Sequence, residues 1–138
     1  MKILTESKIK TFNMLVESFI NNDFYSEIKD APKSDKIIMI NKYIDDKGEN
    51  ITTDELGDLI GAFLEDNPNK GSFEDITQFI VKVISYKGKS LTAKEIQYLL
   101  MKTPYQDRLT LIDLITLLKN NELNQPEQNV LDYYKKII

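Results

Sequence analysis

Apolar residues along this chain fall at steps of three and four, the spacing of one face of an α-helix. Ile9, Phe12, Leu15, Val16, Phe19 and Ile20 form such a stripe. The spacing predicts a first helix from Thr5 to about Ile20, stopped by Asn21-Asn22-Asp23. Residues 23–34 read as a longer connection with a short turn of helix around Phe24, Tyr25 and Ile28. Ser34 or Asp35 is the expected cap of the next helix, which carries Ile37, Ile38, Ile40, Tyr43 and Ile44 and ends near Gly48. A third helix bears Leu56, Leu59, Ile60, Phe63 and Leu64, and a fourth Ile76, Phe79, Ile80, Val83 and Ile84. Ile96, Leu99 and Leu100 mark a fifth, broken by Thr103-Pro104, and residues 109–118 a sixth. Val130, Leu131, Tyr134 and Ile137 face inward from the last. About seven helices and no strand make the chain all-α.

The second signal is a repeated phrase. Lys47-Gly48-Glu49-Asn50-Ile51-Thr52-Thr53-Asp54-Glu55-Leu56 returns 40 positions later as Lys87-Gly88-Lys89-Ser90-Leu91-Thr92-Ala93-Lys94-Glu95-Ile96. Each copy ends a helix at glycine, places one apolar residue, and starts the next helix at a threonine. Repetition at this spacing points to stacked helix-loop-helix units. Thr52 with Glu55, Ser72 with Asp75, Thr92 with Glu95 and Asn124 with Glu127 have capping-box spacing. Pro126 stands in the first turn of the last helix, where a missing amide costs nothing. Asp66-Asn67-Pro68-Asn69-Lys70-Gly71 is a loop by composition. The 138 residues suit one all-helical domain, or two small lobes over 1–50 and 51–138.

Composition narrows the chemistry. The chain is 41% hydrophobic and 29% charged with a net charge of -4, which argues against a nucleic-acid surface. Arg108 is its one arginine, so bidentate phosphate recognition is nearly absent. With no Cys and no His, disulfides, thiolate metal sites, cysteine nucleophiles and imidazole bases are excluded. No phosphate loop or nucleophile elbow is present, so an enzyme is not expected, and no cofactor is implied. The first residues carry no apolar core segment of a signal peptide, and no stretch reaches the roughly 20 apolar residues of a membrane span. The expected setting is cytoplasmic. In Tyr133-Tyr134-Lys135-Lys136, Tyr134 is expected to pack inward while the lysines offset the helix dipole.

The alternation of longer loops with a short Gly-x-x-apolar-Thr link resembles the calmodulin superfamily of EF-hand proteins. The resemblance is carried by Gly48 to Leu56, by Ser72-Phe73-Glu74-Asp75-Ile76, and by the opening Leu4-Thr5-Glu6-Ser7-Lys8-Ile9. It implies EF-hand-like helix-loop-helix repeats with degenerate calcium loops. In the family register Leu64 takes the first ligand place, Pro68 the fifth and Asn69 the glycine place, while Asp75 replaces the bidentate glutamate. A loop begun at Asp66 instead puts Pro68, Lys70 and Thr77 at ligand places. Neither supplies the roughly six to eight oxygens that calcium takes, so no metal site is expected.

Two functions follow as expectations. The resemblance implies a calcium-independent, light-chain-like subunit that clamps an amphipathic helix of a larger protein partner. Its groove would be lined by Phe63, Phe79, Ile80, Ile96, Leu100, Leu114 and Leu118. The alternative is a small acidic inhibitor of the immunity type, blocking a basic partner such as a nuclease by charge complementarity. Neither involves nucleic acid or membrane as the direct partner.

Overall fold

The structure is a computed structural model that describes residues 19–65 and 73–138. Those residues form seven α-helices and no strand: α1 (Asn22–Asp30), α2 (Lys33–Lys47), α3 (Thr53–Leu64), α4 (Phe73–Lys87), α5 (Ala93–Lys102), α6 (Arg108–Leu118) and α7 (Gln125–Ile137). Tight 3₁₀ turns at Gly48–Asn50, Gly88–Ser90 and Tyr105–Asp107 punctuate them. The periodicity predicts six of these helices and reads the residues of α1 as a connection with a short turn. Residues 5–18 of the expected first helix, the Asp66–Gly71 loop and the Ser72 cap lie outside the described residues. Residues 22–30, read as connection, are a nine-residue helix. Asn21 is extended and accepts the Asp23 amide at 2.7 Å, so the run that looked like a stop is a start. At α2, Pro32 takes the cap position in place of Ser34 or Asp35. No side chain caps that end, and the Pro32 carbonyl accepts the Lys36 amide at 2.9 Å.

The helices stack in two layers. α1 packs on α3, α3 on α5, and α5 on α7; α2 packs on α4, and α4 on α6. Connected neighbours such as α1 and α2, or α6 and α7, bridge the layers. One continuous core runs between them, from Ile20 and Ile28 through Leu59, Phe79 and Ile84 to Leu131 and Tyr134, with no gap at the 50/51 boundary. Ion pairs tie α4 to α2 from outside, Lys82 to Asp45 at 2.7 Å and Lys33 to Asp75 at 3.6 Å.

The three links that lead from an even- to an odd-numbered helix share one construction. A lysine ends an even-numbered helix; three turn residues, an apolar residue and a capping residue follow; a glutamate stands three positions after the cap. The sets are Lys47–Ile51–Thr52–Glu55, Lys87–Leu91–Thr92–Glu95 and Lys119–Leu123–Asn124–Glu127. All three capping boxes form. The lysine turns back on its own box glutamate, at 3.6, 2.9 and 2.8 Å in chain order. Lys87 also donates to the Glu49 carbonyl at 3.1 Å, and Lys119 to the Lys89 carbonyl at 3.0 Å. Each inner lysine therefore fastens the start of its following helix to the turn of the preceding unit. The repeated phrase revealed two of these links. The third comes 32 positions after the second and lacks glycine. Asn120 and Asn121 take its positive-φ places, which asparagine tolerates better than other side chains.

Other polar groups secure helix ends. Lys36 is buried and donates to the Ala62 carbonyl near the end of α3. Arg108 stacks 5.4 Å from the Tyr134 ring, and its Nε bonds the Leu100 and Thr103 carbonyls at 3.0 and 3.3 Å. The sole arginine thus satisfies carbonyls that the end of α5 leaves open. Tyr134 packs inward as expected.

A buried ion pair is strongly destabilising only when half of it is removed. Lys119→Met should cost about 3–5 kcal/mol in urea unfolding, and adding Glu127→Leu should recover most of that loss. Burial alone raises the Glu127 carboxyl, but the Lys119 and Asn124 hydrogen bonds and the ammonium charge outweigh it and hold the group below its ordinary value. A depressed carboxylate stabilises the fold above its unfolded pKa, and that contribution is lost as pH falls through the folded value. The acid limb of a stability–pH curve should therefore flatten in the double variant.

Candidate protein-binding surface

The structure places Phe63, Phe79, Ile80, Ile96 and Leu100 in the core, each essentially inaccessible. Phe63 and Phe79 meet edge to face with ring centres 5.4 Å apart. Leu114 and Leu118 are half-buried against that core. The seven residues thus contribute to the packing between helices, and no open apolar groove joins them in this conformation. Their helical stripes could not separate core from groove, because both bury the same side chains. Exposed apolar residues are scattered over several elements, among them Ile38 on α2, Phe73 on α4, Met101 on α5, Leu109 and Leu117 on α6 and Ile137 on α7.

A different surface stands out on the outer face of α3. Asp54, Asp58, Gly61 and Glu65 follow one another at steps of four, three and four, with Gly57 beside Asp58, so they share one stripe, opposite buried Leu56, Leu59, Ile60 and Phe63. Two glycines inside a twelve-residue helix each cost about 1 kcal/mol against alanine, so they need a packing reason. The flanking α5 supplies one for Gly57. The Tyr98 hydroxyl from α5 overlaps the place a Gly57 Cβ would take, whereas the Tyr25 hydroxyl from α1 lies 3.6 Å from a Cβ on Gly61, an ordinary contact. The result is an acidic stripe, the α3 trough, with the two glycines set between its carboxylates and a tyrosine from each flanking helix against it.

Its electrostatics are one-sided. Tyr25 donates to Glu65 at 3.0 Å, and the Ile20 amide donates to Asp58 at 3.3 Å. Among the described residues no lysine or arginine pairs with Asp54, Asp58 or Glu65. Burial pushes the Asp58 carboxyl up; the Ile20 amide opposes this, while the charges of Asp54 and Glu55 add to it. Burial also raises the Tyr98 phenol, and Asp54 and Asp58 raise it further. The Tyr25 phenol is raised by burial, by its bond to Glu65 and by the same negative field. Just inside this face, Tyr43 donates a hydrogen bond to the buried box residue Glu55. Like charges held together in this way favour a cation that arrives from outside.

In the sequence the trough shows only as an acidic helix face, because nothing local separates a solvated face from a binding surface. A signal is present in the i, i+4 glycines interleaved with Asp54, Asp58 and Glu65. It needs the neighbouring helices to acquire meaning. Among the described residues no group of His, Cys, Asp and Glu is arranged to hold a metal ion, and no helix is long and apolar enough to cross a membrane.

The two glycines should respond oppositely to alanine. Gly61→Ala meets only ordinary van der Waals contact and should stabilise the fold by up to about 1 kcal/mol. Gly57→Ala collides with the Tyr98 hydroxyl and should show no gain, whereas Gly57→Ala with Tyr98→Phe should recover the helix-propensity benefit. Thermal unfolding of the four proteins measures this. Phe79→Ala, by contrast, should cost about 3–5 kcal/mol as a core truncation, and Leu117→Gln should stay within about 0.5 kcal/mol as a surface change. Comparison of the chain with protein-family models, with curated proteins and with solved structures finds no match, so the geometry of the trough carries the functional reading.

Proposed function

We propose that the chain is a non-catalytic protein-binding module whose α3 trough takes a basic amphipathic segment of a protein partner. The row of Asp54, Asp58 and Glu65 interleaved with two glycines, without a cationic partner among the described residues, carries this reading. Tyr25 and Tyr98 are suited to the walls of such a site, because phenol rings accept a cation over the face and a polar contact at the hydroxyl. The charges span about three turns of helix, roughly 16 Å, which matches a partner helix carrying Lys or Arg on one side. An inhibitor that blocks a basic protein fits this surface, since attraction of this kind mainly sets encounter rate and partner choice.

The calmodulin-like reading gives a second form of the same function. In it the chain is a calcium-independent, EF-hand-related subunit that clamps an amphipathic helix in an apolar groove. Support comes from the turn-and-cap links at Gly48 and Gly88. That form requires the two layers to part, so that Phe63, Phe79, Ile80, Ile96 and Leu100 reach solvent beside Leu114 and Leu118.

Salt separates the two forms. A sixteen-residue synthetic helix with lysines on one face should bind, and its affinity should fall steeply between low and high ionic strength. Replacing Asp54 and Asp58 by Asn and Glu65 by Gln should weaken it about ten-fold or more, given up to about 1 kcal/mol for each exposed ion pair. Binding that survives high salt and ignores these substitutions would favour the opened groove. No uptake of the peptide under either condition would defeat both.

A further inference from the structure

Among the described residues, the even-numbered layer has an uncovered edge at α2. Phe24, Met39 and Tyr43 floor a cleft of about 530 Å³ there, with Lys42, Asp46 and Lys47 at its rim. Phe24 and Tyr43 are stacked at 5.4 Å. The chain's own repetition shows what covers such an edge. The corresponding sides of α4 and α6 are covered by the preceding even helix. The lysines that end α4 and α6 reach the carbonyl of the preceding turn, and their side chains are only 8% and 6% exposed. Lys47 is 45% exposed and has no such carbonyl among the described residues.

The unit that should precede α2 is half visible. Ile51-Thr52, Leu91-Thr92 and Leu123-Asn124 each set an apolar residue before the cap of an odd-numbered helix, and Ile20-Asn21 does the same before α1. Ile20 is buried like Ile51 and Leu91, and Asn21 caps α1 while lining the cleft. In every other unit, the residues just upstream of this pair supply the even-numbered partner.

We propose that the α1–α2 cleft is the docking site of the chain's own N-terminal segment, residues 5–18. That segment carries the apolar stripe Ile9, Phe12, Leu15 and Val16 for the Phe24–Met39–Tyr43 floor. Lys8 and Lys10 complement Asp46, and Glu17 complements Lys42 and Lys47. Attachment a few residues away raises the segment's effective concentration at the cleft to the millimolar range, above what a free partner reaches.

The chain has no cysteine, so paired cysteines report this contact without background. Full-length protein carrying Met39→Cys with Phe12→Cys, Leu15→Cys or Val16→Cys would be oxidised mildly, with helix content checked by circular dichroism. A disulfide requires Cβ atoms about 3.5–4.5 Å apart, so only a seated segment closes it efficiently. The expected result is a monomer that has lost two hydrogens in at least one of the three pairs. The same three positions paired with Leu117→Cys on α6 should stay reduced. No closure in any Met39 pair, equal closure with the Leu117 position, or disulfide-linked dimers alone would each overturn the proposal. The dimers would identify a second copy as the occupant.

Discussion

The architecture depends on lysine ammoniums drawn out of water at the joints between units. A buried ammonium is unfavourable unless its hydrogens find acceptors. Lys87 and Lys119 find them in two places at once, a carboxylate of the following helix and a carbonyl of the preceding turn. The carboxylate is itself committed, because Glu95 and Glu127 also receive the cap amides of Thr92 and Asn124. A helix start, a helix end and a neighbouring unit thus meet at one charge. Apolar stripes alone would let adjacent units slide along each other, since Leu and Ile contacts are non-directional. The joint fixes the register, as buried polar groups do in the best-attested cases.

With register fixed, the spacing of side chains across the odd-numbered layer becomes a design variable. Placing Tyr98 over Gly57 and Tyr25 near Gly61 requires that α1, α3 and α5 keep their relative heights to within a fraction of a turn. The trough is therefore a consequence of the clasped joints, although no clasp residue lines its surface. Glu55 links the two. It belongs to the first clasp through Lys47, accepts Tyr43, and contributes to the field that raises Asp58. A surface assembled from three helices in this way is held more accurately than one carried on a loop.

How much of this was legible depends on whether the signal was local. Helix type, the Thr52, Thr92 and Asn124 caps and the break at Thr103-Pro104 are written within a few residues, and the structure has them where periodicity and capping rules put them. α1 shows in sequence only as a short turn, because nine residues with Phe24, Tyr25 and Ile28 give too few apolar steps to show a period. The asparagines at its start signal a stop and a cap equally well. The third joint was hidden because asparagines stand where glycines marked the first two. The order of stacking, α1–α3–α5–α7 beside α2–α4–α6, has no local signature. The trough depends on that order, so its residues were legible only as an acidic helix face.

The same packing bears on which partner chemistry is favoured. Exposing the Phe63–Phe79 cluster means parting layers whose apolar contacts are the main source of stability. At about 25 cal/mol per Å² of buried apolar surface, uncovering two aromatic rings and three aliphatic side chains costs several kcal/mol before a partner contributes anything. A partner helix must recover that amount in addition to the entropy of association. The trough needs no such opening. Its carboxylates are already exposed or half-exposed, its walls are fixed by the joints, and its field is relieved when a cation arrives. On these terms a basic segment laid along α3 meets a preorganised surface, and the closed core works as its support.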